Sequence, residues 1–400
     1  MKKILNNPLF GAVLLISGTA IGAGMLALPT VTAFGGFFPS TVLFLVTWFV
    51  MLLTAFFFLD VNLAIKGETN FISMAHKTLG LWGKALCWIF YLLLLYSLTA
   101  SYIAGCTPLL VKGIASVTGY TLPQRVSLFL LPLIFGGLIY SGTKGVDKIN
   151  RLFMFALVAS FVMLIFYVPG QVDGEKLLHV DFPASIAAIP IVITAFGYHI
   201  IIPTLSTYMQ RDRKKLTQAI LIGSLIPIVV YLIWQILVLG TVPIPLLTKA
   251  YLSSDTAAQP LAAVLHNPFI GLVAQFFSFF AIITSFIGVT LSLSDFLTDG
   301  LKIKKTGGGR LFAVVLTFSP PLFFVYTYPR GFYVALQYAG AFVAVLLIFL
   351  PAAMAWKLPK YKKPLRRLLL VVVIVVSLGV VVCDFLEETG QLNYLIKKYL

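Results

Sequence analysis

Two short stretches, Thr19-Ala20-Ile21-Gly22-Ala23-Gly24 and Thr194-Ala195-Phe196-Gly197-Tyr198-His199, share a pattern and lie in opposite halves of the chain. Pro29-Thr30 follows the first stretch and Pro203-Thr204 follows the second. Each stretch interrupts a segment that is apolar enough to cross a bilayer. A membrane helix is interrupted only where protein or a water-filled cavity satisfies the freed backbone N–H and C=O groups. Two such breaks in corresponding halves indicate the central binding site of a secondary transporter.

The composition is that of a membrane protein with many spans. Of the 400 residues, 60% are hydrophobic and 10% are charged, and the mean hydropathy is +1.01. Soluble domains do not have this usage. The net charge of +16 would suggest nucleic acid as a partner of a soluble protein, but the basic residues lie in short loops, where they set membrane orientation. We therefore expect a lipid bilayer as the environment and no nucleic-acid partner.

The length of apolar segment needed to cross a bilayer divides the chain into spans. A hydrocarbon core about 30 Å thick requires about 20 apolar residues in a helix. Applied along the sequence, this length predicts an all-α polytopic membrane protein with eleven transmembrane helices. Their predicted limits are 8–33, 37–65, 84–111, 124–141, 150–168, 184–209, 216–241, 267–298, 311–328, 331–356 and 367–387.

The distribution of basic residues supports this map, because Lys and Arg accumulate in the cytoplasmic loops of membrane proteins. Most of the 29 basic residues fall at the N-terminus, which contains Lys2 and Lys3, or in the alternate loops on the same side. The opposite side contains few, among them Lys176 and Lys397. We therefore predict a cytoplasmic N-terminus and an external C-terminus.

The positions of the two breaks predict an internal repeat. The first pattern begins span 1 and the second begins span 6, so an odd number of spans separates them. The second pattern therefore enters the membrane from the opposite side, as an inverted repeat of five plus five helices requires. We predict a first five-helix repeat in residues 1–178, a second in 179–358, and an eleventh helix with an external tail in 359–400. The alternative is that two glycine-rich helices resemble each other by chance.

The two breaks present opposite helix ends to the membrane centre. In the first, glycines leave the backbone exposed, and the half-helix that restarts near Ala23 directs free N–H groups inward, which suits a carboxylate. In the second, the half-helix that ends near Ala195 and Phe196 presents carbonyl groups that could accept an ammonium group. Together the breaks predict a site for a zwitterion such as an α-amino acid. Helix packing alone is the alternative.

A few polar side chains in the spans could carry an ion or line a cavity. His199 is the one ionisable side chain that the map places near mid-membrane beside a break, and histidine titrates near physiological pH. It is a candidate proton carrier, with a structural hydrogen bond as the alternative. In span 8, the hydroxyls of Thr284 and Ser285 could bind a small cation or join neighbouring helices. Tyr91, Tyr96 and Tyr102 in span 3 could face the cavity or pack.

Both motifs resemble those of a known family. The run from Ser17 to Pro29, SGTAIGAGMLALP, and the run AFGYH at 195–199 followed by Ile202-Pro203 are similar to the first-helix and sixth-helix motifs of the hydroxy and aromatic amino acid permeases, and most similar to the bacterial tyrosine-specific and tryptophan transporters. The resemblance extends over the whole chain. It implies the leucine-transporter-like fold of the amino acid, polyamine and organocation superfamily, alternating access, and proton-driven uptake across the bacterial inner membrane.

The resemblance also implies site residues. It places substrate contacts in both motifs, at Gly18, Thr19, Gly22, Ala23, Gly24, Thr194, Ala195, Phe196, Gly197 and His199. Thr284 and Ser285 resemble a hydroxyl pair that helps to bind a structural sodium in sodium-coupled members. Some proton-coupled relatives use a lysine in helix 5 at that cation site, whereas span 5 of this chain has only Arg151 at its start. The resemblance favours the proton as the coupling ion, and this departure keeps sodium open as the alternative.

We predict a permease that imports tyrosine in preference to tryptophan and phenylalanine, and that contains no cofactor and no metal site. A serine or threonine permease and a sodium-coupled symporter are the alternatives within the transporter class. A membrane enzyme would require a nucleophile with a base, or a metal cluster, facing a cavity, and the sequence contains no such cluster. A channel would require a pore-lining ring of side chains and no paired breaks.

Overall fold

The computed structural model describes residues 8–67, 69–141, 146–265, 267–304, 306–328 and 331–399. Lys2 and Lys3, whose charges support the predicted orientation, lie outside the described residues. Within the described ranges the secondary structure is helical and contains no strand. The fold is therefore all-α, as the sequence predicts.

The described residues of the first half form seven α-helices, several of which are long and apolar. They are α1 (Pro8–Ala20), α2 (Gly24–Thr32), α3 (Phe37–Ala64), α4 (Phe71–Thr118), α5 (Gln124–Ser127), α6 (Leu130–Ser141) and α7 (Val146–Tyr167).

The described residues of the second half form twelve further α-helices. They are α8 (Phe182–Ser185), α9 (Ile189–Ala195), α10 (Ile202–Tyr208), α11 (Arg213–Leu239), α12 (Ile244–Ser253), α13 (Ala258–Val264), α14 (Pro268–Gly300), α15 (Gly307–Thr327), α16 (Gly331–Val343), α17 (Leu350–Ala355), α18 (Pro364–Glu388) and α19 (Asn393–Ile396). Short 3-10 helices join α8 to α9 and precede α10, and a π-helix at Ala344–Phe349 joins α16 to α17.

The long helices have the length and composition of membrane spans. In the described part of the chain, nine helical segments are long and apolar enough to cross a membrane, and the bent pair α1 and α2 forms a tenth. The segment predicted as span 4 contains a shorter apolar helix, Arg125–Leu138. Span 3 was expected at 84–111 but is part of a longer helix, Phe71–Ser116. For the other spans predicted and observed limits agree closely: span 2 was expected at 37–65 and lies at Phe37–Ala64. Hydropathy along the sequence is sufficient to predict these limits.

The first break separates α1 from α2, whose axes are inclined by 52°. Residues 21–23 between them are not helical. The chain restarts with tight turns, in which the N–H of Met25 bonds to the carbonyl of Gly22 and the N–H of Leu26 bonds to that of Ala23, both at 3.1 Å. The observed break therefore coincides with the glycine-containing motif.

The second break lies between α9 and α10. α9 ends at Ala195, and residues 196–198 leave the helix before a 3-10 turn leads into α10. Pro190 and Pro203 each occupy the first turn of a half-helix, where the missing N–H of proline costs no hydrogen bond. Prolines therefore define where both half-helices start.

Glycines allow neighbouring helices to pack closely against the broken segments. A Cβ atom on Gly223 of α11 would lie 2.8 Å from Cβ of Ile16 in α1. A Cβ atom on Gly340 of α16 would overlap the carbonyl of Pro190 in α9. Small residues permit this close approach of membrane helices. α11 therefore supports the first broken helix, and α16 supports the second.

One end of the bundle is joined by an ionic cluster around Asp60, and we call it the Asp60 end. Asp60, at the end of α3, is buried and pairs with Arg213 and with Lys360, whose Nζ lies 2.5 Å from Oδ2. The hydroxyl of Tyr361 also donates to the carboxylate. Arg211 donates to four main-chain carbonyls at the end of α3, satisfying acceptors that a helix C-terminus leaves open.

The opposite end is closed by contacts around Asp181, and we call it the Asp181 end. The Asp181 N–H donates to the carbonyl of Gly35 at 2.8 Å, which joins the start of the second broken helix to the end of the first. Its carboxylate accepts from Lys398 at 2.6 Å and from the Tyr399 hydroxyl at 2.9 Å. The hydrogen bond from Lys398 holds the pKa of Asp181 below its usual range. The C-terminal segment therefore packs over both broken helices.

α4 is bent at Gly80, whose backbone (φ 74°, ψ −155°) leaves the helical region. A positive φ favours glycine, because a side chain would be strained there. The turn before the bend begins with a capping box, in which Asn70 accepts from the Ser73 N–H and Ser73 accepts from the Asn70 N–H. This first part of α4 contributes to a cavity at the Asp60 end.

Candidate functional site

The first break is held against α14 by Ser285. The N–H of Ala23 donates to Oγ of Ser285 at 3.2 Å. A Cβ atom on Gly22 would overlap the same Oγ, so only glycine allows α14 to approach the break so closely. The structure therefore brings together three of the predicted site residues from the first and eighth predicted spans.

Thr284, the neighbour of Ser285, faces a different direction. Its hydroxyl donates within α14, to the carbonyl of Phe280 at 2.8 Å, and only 7% of the residue is exposed. The predicted hydroxyl pair is therefore divided: Ser285 contacts the break, whereas Thr284 bonds to its own helix.

The two breaks approach each other at Gly24 and Ala195. An ideal Cβ atom on Gly24 would lie 3.6 Å from Cα of Ala195. The N-terminal end of α2 therefore lies beside the C-terminal end of α9. Helix N-termini carry partial positive charge and C-termini partial negative charge, so this contact places the two predicted halves of a zwitterion site side by side.

Gly18 and Thr19 precede the first break by about one turn and lie on the exposed face of α1. The Thr19 hydroxyl donates to the carbonyl of Leu15 at 2.6 Å. An ideal Cβ atom on Gly18 would have Met154 of α7 as its neighbour, at 3.9 Å. These two residues face their own helix and α7.

The remaining residues of the second motif are held by α16 and the π-helix that follows it. The Thr194 hydroxyl lies 3.2 Å from the carbonyl of Leu336, and Gly197 packs against Val343 and Leu347. The N–H groups of Phe196 and Gly197 bond back to the last turn of α9, each at 3.2 Å. Part of the carbonyl end of α9 is therefore already occupied by the chain itself.

His199 is completely buried and faces α3. Its Nε2 lies 2.8 Å from the hydroxyl of Thr54, and its ring stacks on Tyr198 with a centroid separation of 5.1 Å. Phe58 packs against the ring edge. Among the described residues, Nδ1 has no hydrogen-bond partner. The imidazole is therefore held on the α3 side of the second break.

Tyr231 of α11 contacts both breaks, and no sequence motif indicated it. Its hydroxyl lies 2.7 Å from the carbonyl of Ala20, the last residue of α1, and 2.7 Å from the carbonyl of Ala195, the last residue of α9. The side chain is completely buried. A tyrosine in the middle of an apolar span was the available signal, because a buried hydroxyl needs a partner.

The tyrosines of α4 have different surroundings. The hydroxyl of Tyr102 interacts with Ser285 beside the first break, whereas Tyr91 lines a cavity at the Asp60 end. The cavity has a volume of about 820 Å³ and reaches Ile200, next to His199. Three parts of the chain form its walls: the start of α4 with Tyr91, one face of α10 with the turn before it, and Phe296 of α14. The other lining residues are Thr69, Asn70, Phe71, Ile72, Ser73, Ile200, Pro203, Thr204, Thr207 and Tyr208.

Comparison with known proteins identifies the family. Residues 5–384 match the model of the tryptophan/tyrosine permease family. The chain belongs to this family. The permease is 33% identical over 407 aligned residues to tyrosine-specific transport system 1 of Haemophilus influenzae, with 98% of this chain and 100% of the relative covered.

Other relatives of the permease have names that refer to tryptophan. It is 31% identical to the tryptophan-specific transport protein of Pseudomonas aeruginosa, with 87% of this chain and 85% of the relative covered. It is 29% identical to the low affinity tryptophan permease of Escherichia coli, with 94% and 95% covered. The family consists of transport proteins, so this permease is a transport protein and not an enzyme.

Main-chain groups and hydroxyls make the contacts at the two breaks. The Ala23 N–H before α2 bonds to Ser285, and the carbonyls at the ends of α1 and α9 meet at Tyr231. No charged side chain of the described residues forms a hydrogen bond to either break. Recognition of the charged groups of a ligand at this point would therefore depend on helix ends and hydroxyl groups.

Proposed function

We propose that this permease imports aromatic amino acids across the bacterial inner membrane by alternating access. The observation that carries the proposal is the contact between Gly24 and Ala195, where the N-terminal end of one half-helix meets the C-terminal end of another. Such an arrangement suits the carboxylate and the ammonium group of one α-amino acid. The names of the relatives, which refer to tyrosine and tryptophan, support an aromatic side chain.

Tyrosine is the substrate that we favour. Two relatives at 33% and 31% identity, each covering nearly all of the chain, are named for tyrosine-specific transport. The tryptophan-named relatives have identities of 28–31%. Tryptophan and phenylalanine are the next candidates, because all three substrates share the α-amino acid group that the two breaks suit.

The architecture that we propose is a leucine-transporter-like fold with eleven spans. The helix Arg125–Leu138 would be the fourth span, and the broken helices would be the first and sixth. The two inverted repeats would occupy residues 1–178 and 179–358, and residues 359–400 would form the eleventh helix and its tail. The presence of one break in each half supports this arrangement.

We propose that the Asp60 end faces the cytoplasm and the Asp181 end faces the periplasm. Arg211, Arg213 and Lys360 lie at the Asp60 end, and basic residues accumulate on the cytoplasmic side. The cavity of about 820 Å³ lies at the same end. With this orientation the cavity belongs to an inward-facing state, and the contacts of Asp181 close the periplasmic side.

A proton is the coupling ion that we favour, with sodium as the alternative. The histidine beside the second break supports the proton, because its ring is a titratable group within a broken membrane helix. The hydroxyl of Ser285 at the first break supports a role in cation coupling. Coupling requires that substrate and ion bias the same two-state equilibrium.

Uptake into proteoliposomes tests these proposals. Purified protein is reconstituted, and entry of labelled tyrosine is measured under a proton gradient or a sodium gradient, with tryptophan, phenylalanine and serine as competitors. We expect proton-driven accumulation that the aromatic amino acids inhibit. Accumulation driven only by sodium would change the coupling ion. If only serine or threonine inhibited transport, the substrate would be a hydroxy amino acid and not an aromatic one.

Counterflow distinguishes a carrier from a channel. Vesicles loaded with unlabelled tyrosine are diluted into labelled tyrosine, with empty vesicles and vesicles containing a Gly22→Leu variant as controls. A carrier gives transient accumulation of label in the loaded vesicles only. Entry that neither saturates nor depends on the internal amino acid would contradict alternating access.

A further inference from the structure

Tyr231 occupies the point at which the ends of both broken helices converge. It lies in α11, outside both motifs, and its hydroxyl is equally close, at 2.7 Å, to the carbonyls of Ala20 and Ala195. The two half-helices come from opposite halves of the chain. A single side-chain atom therefore joins the two breaks.

The convergence of two carbonyls on one hydroxyl leaves unused acceptor capacity. A phenol has one proton, whereas each carbonyl oxygen has two lone pairs. Both carbonyls are also the ends of half-helices, where partial negative charge accumulates. In a buried site such charge is poorly screened. The point is therefore electronegative even when the hydroxyl bond is formed, and it favours a cationic donor.

The packing around Tyr231 fixes the position of its hydroxyl. The ring packs edge-on against Phe196, with a centroid separation of 5.1 Å, and against Phe44, at 6.3 Å. The helix that carries it is held closely to α1 at Gly223. A small movement of the hydroxyl would therefore require movement of the aromatic cluster or of α11.

We propose that Tyr231 is a positioning residue for recognition of the substrate's ammonium group. Its hydroxyl holds the carbonyls of Ala20 and Ala195 at one point, and their remaining lone pairs accept N–H groups from the ammonium of an amino acid. An ammonium group supplies three donors. This inference depends on the proposed function and adds to it the residue that organises the amine end of the site.

The test compares two ligands that differ only in the ammonium group. Tyrosine and 3-(4-hydroxyphenyl)propionate are titrated against purified wild-type protein and the Tyr231→Phe variant, and equilibrium dissociation constants are measured. We expect Tyr231→Phe to weaken tyrosine binding about tenfold, the upper end of the effect of one lost hydrogen bond, because the two carbonyls that accept the ammonium group are no longer held together. Binding of the propionate should change less than about twofold. The preference for the amine would therefore fall about tenfold.

Tyr333→Phe is the matched control. Tyr333 is also completely buried, and its hydroxyl donates to a single main-chain carbonyl, that of Asp255, at 2.6 Å. The substitution removes the same atom from a membrane helix that carries neither break. The preference for tyrosine over the propionate should be unchanged in this variant.

A second variant keeps the test decisive if Tyr231→Phe does not fold. Replacement of Tyr231 by 4-aminophenylalanine retains the ring and places N–H donors where the hydroxyl lies. We expect this protein to keep the wild-type preference within about twofold, because the carbonyls are again held.

Three outcomes would contradict the inference. An unchanged preference in Tyr231→Phe, an equal loss of affinity for both ligands, or loss of the preference in the 4-aminophenylalanine protein would each overturn it while leaving amino acid transport intact. A wild-type protein that binds neither tyrosine nor tryptophan would instead overturn the proposed function, and the inference with it.

Discussion

The two breaks share a sequence pattern but have different surroundings. The first consists of small residues, and its main chain contacts a hydroxyl of α14 through Ala23 and Ser285. The second contains larger side chains, among them Phe196, Tyr198 and His199, all of which are completely or almost completely buried. One break is therefore completed by a neighbouring helix, whereas the other is filled by its own side chains.

This difference suggests a division of tasks between the breaks. Binding of a carboxylate by main-chain N–H groups requires that no bulky side chain covers them, and the small residues of the first break meet this requirement. In this structure the Ala23 N–H bonds to Ser285. Carbonyl groups at the second break are fixed by the turn of residues 196–198 and by Tyr231, which prepares them for an ammonium group. Substitutions that remove the contacts of each break separately test whether the first break binds the carboxylate and the second binds the ammonium group.

The largest effect is expected from Gly22→Leu. The side chain would occupy the space of the Ser285 hydroxyl, so α14 could not approach the break and the N-terminal end of α2 would be covered. We expect tyrosine uptake into proteoliposomes to fall by at least about a hundredfold, because overpacking of a close contact displaces the backbone. Membrane insertion and the amount of reconstituted protein should be unchanged.

Gly288→Leu is the control for this substitution. Gly288 lies less than one turn from Ser285 on α14, and no heavy atom lies within 4 Å of its ideal Cβ position. Tyrosine uptake by the Gly288→Leu variant should remain within about threefold of wild type. If Gly22→Leu transports tyrosine with normal affinity, the assignment of the first break as a binding site is wrong.

An intermediate effect is expected from Ser285→Ala. The change removes the acceptor of the Ala23 N–H and leaves the helix intact. We expect the KM for tyrosine to rise about tenfold, measured as initial uptake rates over a range of tyrosine concentrations.

Thr284→Ala is the matched control for Ser285→Ala, because its hydroxyl bonds to the carbonyl of Phe280 within the same helix. It should change the KM less than about twofold. A larger effect at Thr284 than at Ser285 would mean that α14 presents a different face to the break in the transporting state.

The sequence predicts the breaks and the span limits because the signals are local. Glycine and proline interrupt helices wherever they occur, and hydropathy needs no partner. It does not predict that Ser285 faces the break while Thr284 does not, since neighbouring residues on a helix differ by a rotation that only packing decides. Tyr231 is missed for the same reason: its two partners are 211 and 36 residues away in the chain.

The smallest effect on the uptake rate is expected from His199→Gln, although it should change the pH dependence. If the imidazole carries the coupled proton, glutamine cannot replace it. Wild-type uptake should rise as the external pH falls, because protonation of the imidazole would load the coupling ion. The variant should show a flat profile between pH 5.5 and 8, with a rate at neutral pH within about threefold of wild type.

Thr54→Val separates proton transfer from structural support at the second break. It removes the hydroxyl that lies 2.8 Å from Nε2 but leaves the ring in place, so the pH profile should shift without becoming flat. A wild-type profile in His199→Gln would assign the ring to the packing between α3 and the second break. Ion coupling would then lie with Ser285 at the first break, and the second break would serve the amine end of the substrate alone.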